Sequence, residues 1–243
     1  MKKQQQLRDD GFIILESIYN TNEIEKLIAI IATATAKKVN SLTFRKHEDL
    51  FAIRQFINEV PETLPIIFNT KLKEVISKFL GDDFFIIKSI YFDKPEKSNW
   101  FVSYHQDLTI SILEKVVTEG YKKWTVKEKQ FAVQPPATIL ENNFTIRIHL
   151  DDTTKHNGAL KVIKGSHSAG IERIENIGHN IDKEQFCEVK KGGIMIMKPL
   201  LFHASNKTTN DHRRRVIHIE LSNQNLPTSL AWSEKVDFEM INS

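Results

Sequence analysis

The stretch SYHQDLTI, residues 103–110, sets His105 and Asp107 two positions apart. In an extended strand, residues i and i+2 point to the same side. The pair would therefore offer one imidazole and one carboxylate to a single cavity. Two imidazoles and a carboxylate on one face of a metal, with the remaining positions open, form the ligand set of non-haem Fe(II) oxygenases. The pair alone decides nothing: nine histidines and twelve aspartates in 243 residues give about 0.4 such spacings by chance. A second histidine must come from a distant strand. His203, in KPLLFHASN, is the best candidate, since it follows a strand introduced by Gly192-Gly193.

An iron site that oxidises needs an electron-donating cosubstrate, and a dicarboxylate cosubstrate needs a cation inside the barrel. Arginine suits this best, because its fork holds a carboxylate bidentately. The segment HASNKTTNDHRRRVIHIE offers Arg213, Arg214 and Arg215 at the entry to a strand. Arg214 shares strand parity with Val216 and His218, whereas Arg213 and Arg215 share it with Ile217 and Ile219. Parity does not choose between the two sets. Ser205, two residues after His203, could add a hydroxyl to the same carboxylate.

The elements that must position these residues are readable from hydrophobic period. TNEIEKLIAIIATATAKK, with Thr21 or Asn22 as N-cap, carries Ile24, Leu27, Ile28 and Ile31 at helical spacing. EDLFAIRQFINEV repeats the stripe with Leu50, Ile53, Phe56 and Ile57. NTKLKEVISKFLG starts at a cap candidate and stops at Gly81. From residue 84 the period changes to two: FFIIKSIYF, FVSYHQDLTI, FTIRIHLDD, ALKVIKG, GIMIMKP and RRVIHIELSN read as strands separated by turn signals. Helices followed by many short strands predict a mainly β fold, a sandwich or jelly roll buttressed by N-terminal helices. We expect one domain over 1–243, with helical support over 1–83 and a strand core over 84–222. Residues 111–142 break the rhythm and carry Tyr121, Trp124 and Phe131, which predicts a lid over the site.

Composition adds bounds. The net charge is +3, mild and interleaved, so nucleic-acid binding does not follow from it. The one cysteine, Cys187, allows no internal disulfide. No apolar run approaches a membrane span, and the start of the chain has no apolar signal core. The expectation is a cytoplasmic protein with neither membrane nor nucleic-acid partner.

Taken together and in order, FDKPEKSNWFVSYHQD, HLDDTTKHNGALKVIKGSH and KPLLFHASN…RRRVIHIE resemble the phytanoyl-CoA dioxygenase-like Fe(II)/2-oxoglutarate oxygenases, a family that includes ectoine hydroxylase. The resemblance covers roughly residues 84–222. It implies a double-stranded β-helix, a cupin-like jelly roll, with Fe(II), 2-oxoglutarate and O2 as cofactor and cosubstrates. It implies His105, Asp107 and His203 as iron ligands. The family's eleven-residue spacing from the last histidine selects Arg214 for 2-oxoglutarate, with Ser205 as its hydroxyl partner. Lys88 and Phe92 fall on cosubstrate-facing positions. Arg147 falls on a cavity-facing position and would read an anionic substrate. The implied reaction is hydroxylation of an unactivated C–H bond of a small molecule, with release of succinate and CO2.

Plainer readings stand beside these. A metal- or ligand-binding jelly roll without oxidative chemistry would need no Arg214, and a nucleic-acid-binding protein would need a basic groove. GSH at 165–167 reads as a turn in the scaffold, Trp100 as core packing at the mouth of the site, and Cys187 as an inert small residue. His149 lines the cavity or sits satisfied in the core. Trp124 and Phe131 are weighed as substrate contacts against ordinary packing.

Overall fold

The structure, a computed structural model, describes residues 2–37, 44–47, 50–96, 100–127 and 130–238. Lys38, Glu48, Asp49 and residues 97–99, which fall within the motifs above, lie outside the described residues. The strands are β1 (Phe12–Leu15), β2 (Phe44–His47), β3 (Leu50–Arg54), β4 (Phe85–Lys94), β5 (Val102–His105), β6 (Ile110–Ile112), β7 (Lys122–Lys127), β8 (Gln130–Gln134), β9 (Phe144–His149), β10 (Leu160–Ile163), β11 (Glu184–Cys187), β12 (Ile194–Met197), β13 (His203–Ser205), β14 (Arg214–Ser222) and β15 (Val236–Asp237). They form a large antiparallel sheet in the order β1-β12-β9-β14-β4-β3-β2, with β15 on β4. A second sheet runs β11-β10-β13-β5, and a small third one β6-β8-β7. Residues of the first two sheets line one cavity between them, as in the two halves of a jelly roll.

The large sheet is buried on both faces, and strand parity sorts its residues. Ile146 and Ile148 of β9, Ile194 and Ile196 of β12, and Ile217 and Ile219 of β14 join one apolar core with the helices. The alternate residues of the same strands, Arg147, Arg214 and His218 among them, face the cavity. Each fully buried isoleucine contributes roughly 1.5–3 kcal/mol, so a one-residue slip would expose the core row and is strongly disfavoured.

The helical support is built as expected in two places. α1 (Lys2–Asp10) and α2 (Thr21–Lys37) flank β1, and α2 buries Ile24, Leu27 and Ile31. Its cap is Asn20, ahead of the Thr21 or Asn22 expected: Asn20 Oδ1 accepts from the Glu23 amide at 3.0 Å, and Glu23 Oε2 accepts from the Asn20 amide at 2.8 Å. This reciprocal pair is a capping box. α3 (Phe56–Glu59) and α4 (Leu64–Ile67) are short, and α5 (Thr70–Phe79) starts where Asn69 Oδ1 accepts from Leu72 N at 2.9 Å. α5 ends before Gly81, whose amide donates to Ile76 O at 3.1 Å and whose φ of 108° turns the following chain out of the helix.

Two elements differ from the expectation. Leu50–Arg54 is a strand, and only Phe56–Glu59 of the predicted second helix is helical. A short apolar run suits either period. Here the free edge of β4 decides, taking β3 in the register Ala52↔Phe92 and Ile53↔Tyr91. Gln55, at φ 49°, turns the chain between strand and helix. Phe12–Leu15, also expected within a helical region, pairs with β12 at the sheet edge.

The described residues of the 111–142 segment, which leave out 128 and 129, are folded. β6, β7, β8 and α6 (Ala137–Asn142) surround an apolar cluster of their own, which holds Ile110, Ile112, Tyr121, Val133 and Leu140 with Leu200 and Leu230. No helix among the described residues is long and apolar enough to cross a membrane.

Candidate metal centre

His105 is the last residue of β5, and Asp107 lies just beyond the strand. The Asp107 amide leaves the ladder and donates to Pro199 O at 2.9 Å. Between them Gln106 points the other way: its Nε2 donates to Leu200 O at 2.7 Å and to Gly170 O at 2.8 Å, and its Oε1 accepts from the Glu172 amide at 3.0 Å. Gln106 therefore pins two loops while its neighbours face the cavity. Strand pairing brings in the third residue, because β13 lies beside β5 with His203 opposite His105.

The two imidazole rings stand 4.2 Å apart between centroids. Each Nδ1 lies 2.9 Å from the carbonyl oxygen two residues before it, Ser103 for His105 and Leu201 for His203. A carbonyl only accepts, so each Nδ1 carries a hydrogen, and Nε2 is the atom each ring has to offer a metal. Those Nε2 atoms are 3.9 and 3.8 Å from the two oxygens of Asp107. One ligand atom from each residue falls within 4.8 Å of the others, close enough for one ion. The donor set of two neutral imidazoles and one carboxylate fits a divalent iron with open positions. Burial works to raise the Asp107 pKa, but His203, His218, Lys88 and His105 outweigh it and hold it at about 2. Burial chiefly pushes the His203 pKa down to about 4, with the Asp107 charge opposing. Both groups are in the form that binds a cation at neutral pH.

The cavity beside these ligands has a volume of about 140 Å³. Arg214, the first residue of β14, lines it and is 7% exposed. Its Nε and Nη1 find no partner among the described residues. Burial, reinforced by the charge of Arg147, pushes its pKa down to about 9, which leaves it cationic at neutral pH. Its neighbours are committed elsewhere: Arg213 pairs with Asp93 through Nε at 2.7 Å and through Nη2, and Arg215 pairs with Asp151 at 2.9 and 2.7 Å. The register of β14 thus resolves the parity that the sequence leaves open. Ser205, 4% exposed, lines the same cavity.

The other expected residues divide. Arg147 and Phe92 line the cavity, and the Phe92 ring stands edge-on to His218 at 6.0 Å. Lys88 is absent from the cavity lining and pairs instead with Glu220 at 2.7 Å. Trp124 and Phe131 pack on the satellite cluster of the 111–142 segment, away from the cavity lining. Trp100 stands at the cavity rim and is 39% exposed, which makes it a mouth residue and not core packing. His149 is buried, with Nδ1 2.7 Å from Thr153 Oγ1 and Nε2 without a partner among the described residues. The GSH turn is scaffold: Ser166 Oγ accepts from the Phe202 amide at 2.9 Å. His218 and Glu220 were not singled out from sequence. Their shared parity with Arg214 was the available signal.

Solved structures with this fold include EctD from S. alaskensis with bound Fe, with a TM-score of 0.71 at 19% identity over 96% of this chain and 83% of that one. EctD with 2-oxoglutarate and 5-hydroxyectoine matches with a TM-score of 0.70 at 19% identity, over 91% of this chain and 75% of that one. EvdO2 from Micromonospora carbonacea var. aurantiaca, complexed with 2-oxoglutarate, matches with a TM-score of 0.61 at 14% identity, over 97% of this chain and 91% of that one. At such identities the likeness shows the fold. A search of curated proteins finds no match. The model of the phytanoyl-CoA dioxygenase (PhyH) family matches residues 7–216. That match takes in His105, Asp107, His203 and Arg214, and the chain belongs to the phytanoyl-CoA dioxygenase (PhyH) family, as an oxygenase dependent on iron and 2-oxoglutarate.

Proposed function

We propose that the protein hydroxylates an unactivated C–H bond of a small-molecule substrate, releasing succinate and CO2. The carrying observation is the buried guanidinium of Arg214, whose Nε and Nη1 have no partner among the described residues, in the cavity that holds His105, Asp107 and His203. A jelly roll that merely binds a metal has no use for a buried cation there.

In this reading His105, Asp107 and His203 hold Fe(II) through two Nε2 atoms and one carboxylate oxygen. Arg214 holds the far carboxylate of 2-oxoglutarate through its free N–H groups, and Ser205 adds a hydroxyl. Iron with its bound cosubstrate supplies the oxidising chemistry, coupling cosubstrate decarboxylation to transfer of one oxygen atom from O2. The chain's own contribution is placement and exclusion of water. Leu160 and Phe92 dry the cavity walls. Asp107 occupies the position that a halide would need, which favours hydroxylation over halogenation. The arginine at 147 fits a substrate with a negatively charged group. The lone Cys187, buried and with its thiol pKa pushed up to about 12 by burial, suits a reducing cytoplasmic setting.

The test is succinate formation from 2-oxoglutarate under air. It should require added Fe(II) and stop in His203→Ala. Metal binding without succinate formation under any substrate screened would favour the non-oxidative reading.

A further inference from the structure

Behind the metal centre a chain of buried polar groups runs across β4, β14 and β9. Lys88 Nζ donates to Glu220 Oε1 at 2.7 Å. His218 Nε2 lies 3.2 Å from the same oxygen. Arg147 Nη1 lies 3.1 Å from His218 Nδ1. The chemistry of the partners fixes the imidazole. A guanidinium only donates, so His218 Nδ1 is the acceptor; a carboxylate only accepts, so His218 Nε2 carries the hydrogen. His218 is therefore neutral, and Lys88 and Glu220 cancel. The chain ends on one positive charge, at Arg147.

That charge is not used by the reaction assembly. Fe(II), Asp107, the dianion 2-oxoglutarate and Arg214 sum to no net charge. Among the described residues lining the cavity, Arg147, Arg214 and Asp107 are the charged groups, apart from any histidine. Arg147 is 8% exposed, and its Nε has no partner among the described residues. A guanidinium buried this deeply and left uncompensated is costly. Arg213 and Arg215 show which edge is free to act: each grips its carboxylate with Nε and Nη2. In Arg147 the opposite group, Nη1, is taken by His218, which leaves the Nε edge turned from the anchor.

We infer that Arg147 is the binding group for a carboxylate on the substrate, and that Lys88, Glu220 and His218 are a positioning relay that holds its guanidinium in place. This rests on the iron and 2-oxoglutarate reading of the site. It makes the substrate a carboxylic acid whose carboxylate sits at Arg147, with the reacting carbon directed at the metal. Lys88 then serves the substrate through three intermediaries, Glu220, His218 and Arg147, and does not touch the cosubstrate.

The experiment is calorimetric titration of the Fe(II)·2-oxoglutarate protein without oxygen. The probes are propanoate and benzoate, each against its amide, propanamide and benzamide. Each carboxylate should bind at least tenfold more tightly than its amide. Arg147→Leu should reduce that preference below threefold, and Arg147→Lys, which keeps the charge but not the fork, should fall between. Glu220→Gln and Lys88→Met should each cut the preference three- to tenfold. The 2-oxoglutarate affinity of every variant is measured alongside. Relay variants that lose 2-oxoglutarate and carboxylate affinity in equal proportion have a general structural defect, which overturns the relay. Equal binding of acid and amide by the wild type, or no binding of the acid, overturns the carboxylate site. An acid that binds only by displacing 2-oxoglutarate sits at Arg214 and overturns it too. If the protein takes up no 2-oxoglutarate in the presence of Fe(II), the underlying reading fails first and separately.

Discussion

Replacing Arg214 by leucine should separate binding from stability. Burial pushes the Arg214 pKa from 12.5 down to about 9. At about 1.4 kcal/mol per pH unit, the folded protein carries an uncompensated burial cost on the order of 5 kcal/mol. The sign follows from linkage. A base whose folded pKa is depressed penalises the fold wherever it must be charged, so the cost is present in full below pH 9. Arg214→Leu removes it, and the metal-free, cosubstrate-free protein should be stabilised, by at least about 1 kcal/mol after losses in packing. The same change deprives 2-oxoglutarate of a buried charge-assisted partner, worth about 3–5 kcal/mol. Its affinity should fall roughly a hundred- to several-thousand-fold. Arg213→Leu should do the reverse. It leaves Asp93, which is 5% exposed, with the Tyr91 hydroxyl but no charged partner among the described residues, and costs about 1–3 kcal/mol of stability while leaving 2-oxoglutarate affinity within twofold. Urea unfolding and 2-oxoglutarate titration on the two variants form the assay. Destabilisation by Arg214→Leu with unchanged affinity would refute the reasoning, because the arginine would then have an internal partner.

Other outcomes follow from the same geometry. Alanine at His105, Asp107 or His203 should each abolish Fe(II)-dependent 2-oxoglutarate turnover, and full turnover in Asp107→Ala without added halide or carboxylate would contradict the ligand set. Glu234 is held by Ser89, and burial raises its pKa from 4.5 to about 7. Its folded form binds the proton more tightly, so stability should fall by about 3 kcal/mol as pH rises from 4.5 to 7, and Glu234→Gln should flatten that slope in urea melts. Gly158 has φ +87°, and a Cβ there would meet Lys94 Nζ at 2.8 Å; Gly158→Ala should cost about 1–3 kcal/mol in thermal unfolding. Trp124 packs on the satellite cluster with Lys115 Nζ 6.0 Å from its ring centre, so Trp124→Ala should lower Tm and leave 2-oxoglutarate affinity unchanged.

What the sequence made legible was what period and spacing carry. The alternation in FTIRIHLDD sets Ile146 and Ile148 on one face and Arg147 on the other, and in the sheet the isoleucines join the core and Arg147 lines the cavity. His105 and Asp107 could be paired because they lie two residues apart, and His203 was a candidate because it follows a strand introduced by Gly192-Gly193; that it opens a strand of its own beside β5 was not legible. Contacts between distant strands were not legible. Lys88 and Glu220 are 132 residues apart and meet only because β4 and β14 pair in one register. The same register turns Arg214 inward. Leu50–Arg54 read as helix because four apolar residues fit both periods, and only the open edge of β4 selects strand. Trp124 and Phe131 are ambiguous in sequence because aromatics in a long insertion suit a lid and ordinary packing alike, and the apolar cluster they pack on is built from residues as distant as Leu200 and Leu230.

The central claim is that one cavity holds iron through His105, Asp107 and His203 and 2-oxoglutarate through Arg214. It is tested most directly by adding 2-oxoglutarate to the Fe(II)-loaded protein without oxygen and following the visible charge-transfer absorption of the chelate. The account predicts a saturable band in the wild type, none in His203→Ala, and saturation only at far higher 2-oxoglutarate in Arg214→Leu. No band in the wild type, or an undiminished band in His203→Ala, would contradict it.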